Sequence, residues 1–359
     1  MCKRIMAAQT NTECGVPFYK IGTIGGKADA YISKELFDEY KTKYPFPHRG
    51  EVMITCAGTV GKCIIYNGEE SYYQDSNIVW IDNPKEIISN DFLFYLLSRI
   101  NWSYLNSTTI VRIYNDDLRN LKLYYPKHDE QKKLTHFLFL INERISTQNK
   151  IIEDLKKLRS TISKQVFVQI PNEWNRLDTL FSKGKAGGTP TSTNKDYYNG
   201  DIPFLSINDI TKQGKYIKYT ENHLSQSGLE NSSAWIIPKY SLIMSMYASV
   251  GLVTINEIPI ATSQAMFAMQ LKDTNLLDYL YYYLSHFKYR HLYKYIETGT
   301  QSNINADTVR RIMIPNYGHS RNIEIASTLK SIDAKIDNEL SILELLNSQK
   351  QYLLRQVFI

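Results

Sequence analysis

Residues 161–167, TISKQVF, are matched in outline by residues 353–359, LLRQVFI. A chain that arrives at nearly the same seven residues twice contains an internal repeat, and a repeat governs how the rest is read. Outward from these segments the likeness persists. VPFYKIGTI (16–24) resembles IPFLSINDI (202–210), and DFLFYLLSRI (91–100) resembles DYLYYYLSHF (278–287). LKLYYP (121–126) resembles RIMIPNY (311–317), with Pro126 and Pro315 in equivalent places. The offset grows from 186 between Phe18 and Phe204 to 191 between Phe167 and Phe358, a drift that loop insertions explain. So long a period excludes a solenoid. It predicts a duplicated unit, each copy a globular part followed by a long helix.

The helical parts carry two apolar seams at 3-4 spacing. The first is Leu138, Ile141, Ile145, Gln148, Ile152, Leu155, Arg159, Ile162 and Val166. The second is Leu329, Ile332, Ile336, Glu339, Leu343, Leu346, Lys350, Leu353 and Val357. Both are heptads, interrupted by polar residues at the same two places. Each helix could pack on its own domain, but pairing the two helices also accounts for the polar interruptions. A parallel pair would set Arg159 against Lys350. An antiparallel pair sets Arg159 against Glu339 and Gln148 against Lys350, so that no charge is buried unpaired. The same pairing sets Ile152 with Leu346, Leu155 with Leu343, Ile145 with Leu353 and Ile162 with Ile336. It predicts an antiparallel coiled coil of roughly 40 Å, from about 29 residues at about 1.5 Å each, with an internal pseudo-two-fold axis across it.

The globular parts read as α+β. EVMITCAGTVGKCIIY (51–66) reads as a hairpin turning at AGTVGK, and YSLIMSMYASVGLVTI (240–255) is its counterpart. A strand, an aromatic helix and a polar loop follow in each: NSTTIVRIYNDD (106–117) and ETGTQSNINADT (297–308). The second part has a Gly-rich opening ahead of its IPF, whereas the first has sixteen residues before Pro17, so its N-terminal side is read as shortened.

Chemistry is sparse. GTVGKC (58–63) is too short for a P-loop, and there is no HExxH, zinc-type Cys/His spacing or strand–GxGxxG–helix unit. DNPK (82–85) lacks the rest of an amino-methyltransferase motif. The expectation is a chain without catalytic or metal-binding residues. The four cysteines form no CxxC pair, and Cys56 and Cys63 read as ordinary buried thiols. No apolar stretch approaches eighteen residues and the N-terminus lacks a signal-peptide core, which predicts a cytoplasmic protein with no membrane partner. The formal charge of +6 fits a nucleic-acid partner without requiring one.

The candidate DNA-binding residues lie on polar loops present in both halves. SKGKAGGTPTST (182–193) offers Lys183 and Lys185 for phosphates, Gly187 and Gly188 for close backbone approach, and Thr189, Thr191 and Ser192 as small donors. TGTQSN (298–303) offers the amides of Gln301 and Asn303 for an adenine edge. In the first half Thr108, Thr109, Arg112 and Asn115 occupy the corresponding loop, and Lys62 sits at the hairpin turn.

The layout resembles the specificity subunit of type I restriction–modification enzymes over nearly the whole chain. The resemblance rests on GGTP…YYNGDIPF..I.DI (187–210), the ASVG turn, GTQSNIN, and HDEQKKL (128–134) at the start of the first helix. NYGHSRNIE (316–324) lacks the second EQ of that pattern. The resemblance implies two target-recognition domains, 1–132 and 169–323, joined by spacer helices 133–168 and 324–359. Each domain would read half of a split double-stranded DNA target, and the spacer would set the gap. The helices would dock methyltransferase subunits, which carry the S-adenosylmethionine, and a restriction subunit can join. No cofactor is implied for this chain itself. The alternatives are a nuclease or methyltransferase with divergent motifs, and a coiled-coil adaptor that does not touch DNA.

Overall fold

The computed structural model describes residues 1–74, 77–102, 112–290 and 303–357. They fall into two compact units, one combining Met1–Gln148 with Ile342–Ile359 and the other spanning Asn149–Ser341.

In the first unit, β1 (Val16–Tyr19) runs antiparallel to β2 (Tyr31–Ile32) and parallel to β5 (Tyr72–Tyr73). A second sheet centres on β3 (Val52–Thr55), antiparallel to both β4 (Cys63–Ile65) and β6 (Ile78–Ile81). All of β3 is buried, because alternate residues enter opposite cores. Met53 joins Phe18, Ile32, Phe37 and Tyr72. Val52 and Ile54 join Leu93, Leu97, Trp102 and Ile113. The helices α1 (Lys34–Lys43) and α2 (Asn90–Arg99) start at Ser33 and Ser89, whose hydroxyls accept the N–H groups of Leu36 and Phe92. The short α3 (Asn115–Arg119) precedes the long α4 (His128–Phe167).

The second unit repeats this topology with additions. β7 (Glu173–Arg176) pairs with β16 (Met313–Asn316). β9 (Tyr198–Leu205) lies between antiparallel β11 (Asn222–Leu224) and parallel β14 (Ala261–Thr262), as β1 lies between β2 and β5. β12 (Leu242–Ser245) lies between β13 (Val253–Asn256) and β15 (Met266–Leu271), as β3 lies between β4 and β6. This sheet extends to β10 (Tyr216–Ile217) beside β13 and to β8 (Phe181–Ala186) beside β15. Among the described residues β6 has no strand in the place of β8. Ile243 enters the core with Leu205, Ile217 and Ile237, while Leu242 and Met244 enter the core with Tyr279, Leu280 and Leu284. The helices are α5 (Ile207–Gln213), α6 (Gln226–Glu230), α7 (Leu277–Arg290), α8 (Ala306–Arg310) and the long α9 (His319–Val357). The repeat in the sequence is thus a repeat of strand order and of which β residues face which core.

Both long helices begin five residues ahead of the expected 133 and 324, and buried amides explain the starts. Gln131 donates to the carbonyls of Ile87 and Pro126 and accepts the N–H of Ser89, tying α4 to the start of α2. Asn322, offset by 191, is also buried, and accepts the Tyr317 N–H while donating to Asn316 Oδ1. It occupies the place of the missing second EQ glutamine.

All twelve expected spacer residues that carry the polar and apolar layers are buried or half-buried: Ile145, Gln148, Ile152, Leu155, Arg159, Ile162, Ile336, Glu339, Leu343, Leu346, Lys350 and Leu353. In the second unit Tyr317 Oη donates to the Val166 carbonyl at 3.1 Å and Arg159 donates to Asp333 Oδ1 at 2.6 Å. Tyr317, two residues ahead of α9, lies against Val166 late in α4, whereas Asp333, well into α9, meets the earlier Arg159, so the helices run antiparallel there. In the first unit Leu134 and Leu138 of α4 share a cluster with Leu354 and Val357 of α9 and Phe92 of α2. The register differs from the expected one. Arg159 meets Asp333, not Glu339, and Ile162 packs on the core that holds Ile325, Ala326 and Leu329. Glu339 is ion-paired with Lys335 one turn back on its own helix.

Candidate nucleic-acid interface

The hairpin turns are closed identically in the two units. Thr55 Oγ1 donates to the Thr59 carbonyl and accepts the Lys62 N–H at 3.0 Å. Ser245 Oγ donates to the Ser249 carbonyl at 2.5 Å and accepts the Leu252 N–H at 2.9 Å. Gly61 and Gly251 close the turns at φ of 82° and 77°, where a side chain is strained. A Cβ on Gly61 would also fall 2.1 Å from the Trp102 ring. The residue entering each turn bonds at both its backbone groups. Cys56 donates to Asn77 at 2.7 Å and accepts from Ile113 at 2.9 Å; Met246 donates to Ala265 at 2.7 Å and accepts from Ile304 at 3.0 Å.

These bonds fix the segments just after the two polar loops. Arg112 and Asn303, each preceding the bonded isoleucine, are half-buried at equivalent positions beside the hairpins. Arg112 lies 5.8 Å from the Tyr114 ring centroid. Asn115, the first residue of α3, is exposed, as is Lys62 on its hairpin; the counterpart of Lys62 is the uncharged Leu252. Thr108, Thr109 and Gln301 lie outside the described residues. The two nearby thiols are inert: burial pushes Cys63 up to about 12, and pushes Cys56 up to about 11 against the opposing charge of Arg112.

The second unit adds a basic face on β8. Lys183 and Lys185, two apart on the strand, lean over the segment 233–235. Lys183 Nζ sits 4.2 Å from the Trp235 ring centroid, and Lys185 Nζ donates to the Ser233 carbonyl at 3.4 Å. Both lysines are exposed, as are Thr189, Thr191 and Ser192 on the following loop. Gly187 and Gly188 play a different part from the one expected. Both are buried, and their amides donate to Met266 at 3.0 Å and Thr262 at 2.9 Å. A side chain on Gly187 would fall 2.0 Å from the Thr262 carbonyl, and one on Gly188 would fall 2.3 Å from the Ala234 nitrogen. The room these glycines leave is filled by the domain itself, so their backbone is not offered to a phosphate.

Two residues of this face escaped the sequence reading. Trp235 supplies the surface under Lys183, and its indole N–H is buried without a partner among the described residues, as is the Thr262 hydroxyl. Arg310 braces β8 from α8, donating to the Gly184 carbonyl at 3.2 Å and stacking 5.0 Å from the Phe267 centroid. Exposed lysines beside small hydroxyl donors suit phosphate contact, which orients a duplex without reading bases. Among the described residues no His/Cys/Asp/Glu group is arranged to hold a metal, and no helix is long and apolar enough to cross a membrane.

One α+β lobe, built twice with the same hairpin bonded to the segment holding Arg112 or Asn303 and carried on long helices, defines a duplicated recognition scaffold. Residues 1–157 and 171–348 match the type I restriction modification DNA specificity domain, and the chain belongs to that family. A putative type I restriction enzyme specificity subunit of Haemophilus influenzae is 47% identical over 138 residues, 38% of this chain and 36% of that protein. The MjaIX specificity subunit of Methanocaldococcus jannaschii is 27% identical over 53% of this chain and 45% of its own length. The chain thus spans less than half the length of these two relatives. A putative MjaX specificity subunit of the same archaeon matches more extensively, at 22% identity over 93% of this chain and 84% of that protein. The fold is shared with the crystal structure of an S subunit from M. genitalium, at a TM-score of 0.59 and 16% identity, covering 100% of this chain and 92% of that one. It is shared equally with a chain from a structural study of type I complex assembly, at 0.60 and 15%, covering 97% and 92%.

Proposed function

We propose that this chain is the DNA-specificity subunit of a type I restriction–modification system, acting in the cytoplasm and without catalysis of its own. Each unit reads one half of a bipartite double-stranded target, and the helices set the gap. Methyltransferase subunits dock on the helices and bring S-adenosylmethionine, and a restriction subunit can join them. The observation that carries this reading is the recurrence, in both units, of the hydroxyl-closed hairpin stitched to the segment holding Arg112 or Asn303. A catalytic centre has no need to be built twice on long helices; a reader of two half-sites does. One lobe reading a few base pairs discriminates poorly against genomic DNA. Two tethered lobes gain from effective concentration only at the matching separation. No observation favours the single-chain nuclease, methyltransferase or adaptor readings.

Methylome sequencing of cells with and without the gene tests the proposal. A bipartite methylated motif that vanishes with the gene is expected. An unchanged methylome in cells that express the methyltransferase subunits would overturn it.

A further inference from the structure

We infer that each unit carries a phosphate-binding cleft where its aromatic helix meets the last turns of a long helix. Under the proposed function, on which this source rests, the phosphate is one of the duplex backbone. In the first unit the cleft lies between α2 and the end of α9 and encloses about 300 Å³. Its lining is Tyr95, Ser98 and Arg99 of α2 with Gln351, Leu354 and Arg355 of α9. In the second unit a cleft of about 310 Å³ lies between α7 and the end of α4.

The two clefts are one site built twice. Tyr95, Ser98 and Arg99 lie 187 positions before Tyr282, Ser285 and His286, all of which line the second cleft. Gln351, Leu354 and Arg355 lie 191 positions after Ser160, Ser163 and Lys164, which line it from α4. Each cleft also abuts its hairpin. Gly251 and Leu252 form a wall of the second, and Cys63 of β4 lies beside Ser98 in the first.

The residues differ between the clefts, but the sign of the charge does not. The first has Arg99 and Arg355, and the second has Lys164 and Lys288. Among the described residues neither lining includes an Asp or Glu, and Arg99, Arg355 and Lys164 form no ion pair. Arg159 also lines the second cleft, but Asp333 already meets its charge at 2.6 Å. The hydroxyls of Ser98 and Ser163 give their protons to the carbonyls of Phe94 and Arg159, so the basic side chains are left to hold an anion. Cations near helix C-termini also suit the helix dipole, but that role calls for no cleft. Two cations lining one small space repel unless an anion sits between them. A phosphate and a few waters fit there, whereas a helix of a protein partner is about 10 Å across. The size therefore favours a phosphate over an acidic protein segment, and one cleft per unit is the number that a reader of two half-sites requires.

The test is ethylation interference on duplex DNA bound by the full chain assembled with its methyltransferase subunits. Wild type is expected to show interference at both half-sites. Arg99→Gln with Arg355→Gln should remove it at a phosphate of one half-site, and Lys164→Gln with Lys288→Gln at a phosphate of the other. Each pair should weaken binding about tenfold on every sequence and lower the salt slope by about 1, as for one phosphate. Arg355→Lys and Lys164→Arg, which keep the charge, should leave interference as in wild type. Lower thermal stability with unchanged interference would confine these cations to the helix ends and overturn the inference. Lost assembly with the methyltransferase subunits, with interference unchanged in the assembled fraction, would point to an acidic protein partner and overturn it too. A wild type that binds no duplex would sink the proposed function instead. Inorganic phosphate would then judge the cleft: it should shift the His286 ring resonances of the wild-type chain but not of the Lys164→Gln, Lys288→Gln variant, and unshifted wild-type resonances would refute it.

Discussion

Arg159 of α4 and Asp333 of α9 meet at 2.6 Å, six residues before the glutamate that the seam pattern sets opposite Arg159. A double-mutant cycle reads this register directly. Arg159→Met combined with Asp333→Asn should show a coupling of about 1 kcal/mol in urea unfolding, a modest value because Arg159 keeps 43% side-chain exposure. Arg159→Met combined with Glu339→Gln should be additive within about 0.3 kcal/mol. Strong coupling to Glu339 would contradict the register.

The buried glycines should behave as packing residues. Gly187→Ala or Gly188→Ala places a methyl within 2.3 Å of backbone that is itself hydrogen-bonded, and should cost about 2–3 kcal/mol of stability. Gly22→Ala, with nothing within 4 Å, serves as the neutral control. Thermal melts that leave the first two variants at wild-type stability, with DNA binding alone impaired, would restore the view that these glycines face a phosphate.

Asp278 gives a pH signature. Burial would raise its pKa, but the ammonium groups of Lys215 and Lys330 outweigh burial and hold the carboxyl below its usual value. A carboxyl depressed on folding contributes stability that is fully present above the unfolded pKa of about 3.9 and is lost as pH falls through the folded value. Asp278→Asn should therefore cost about 2 kcal/mol at pH 7, under the roughly 3–5 kcal/mol of a fully buried pair. The gap between wild type and variant should stay constant down to about pH 4 and close only below it. A gap that closes between pH 5 and 7 would assign the effect to another group.

Thiol alkylation at pH 7.5 should separate the cysteines. Cys14 is exposed, while Cys56 and Cys63 are held at about 11 and about 12. Their thiolate fractions are then on the order of 1 in 1,000 or less. Peptide mapping should find Cys14 labelled within minutes and the other two only after unfolding. Rapid labelling of Cys63 would mean that the hairpin sheet is open.

Under the proposed function, Lys183→Ala and Lys185→Ala should each weaken DNA binding across all sequences and lower the salt slope by about 1. Filter binding between low and moderate salt measures this. A change in sequence preference with an unaltered slope would make these lysines base readers instead.

Much of this was legible because period is a local signal. Val52, Ile54, Leu242 and Met244 announce their strands, and the 3-4 spacing correctly turned residues such as Ile152 and Leu346 inward. Register was not legible, for a geometric reason. Sliding antiparallel helices by seven residues returns each apolar seam position to an equivalent one, so the apolar pattern fits both alignments. The choice fell to charges, and the true partner, Asp333, lies one residue off the seam at Ile332. Asn322 escaped because a motif was sought where one buried amide sufficed. Trp235 escaped because it is some fifty residues from Lys183 in sequence, and only the sheet brings them together. The glycines at 187 and 188 were recognised as sites of close approach, but sequence does not say what approaches, and here it is Thr262 and Ala234.

The hairpin turns are shut from beneath, by Thr55 or Ser245 and by a glycine, and nothing in that closure involves the side chain at Ala57 or Tyr247. The tip is a socket indifferent to what is mounted in it. A lineage could exchange those residues one at a time, and so acquire a new preference, without ever passing through an ancestor that failed to fold.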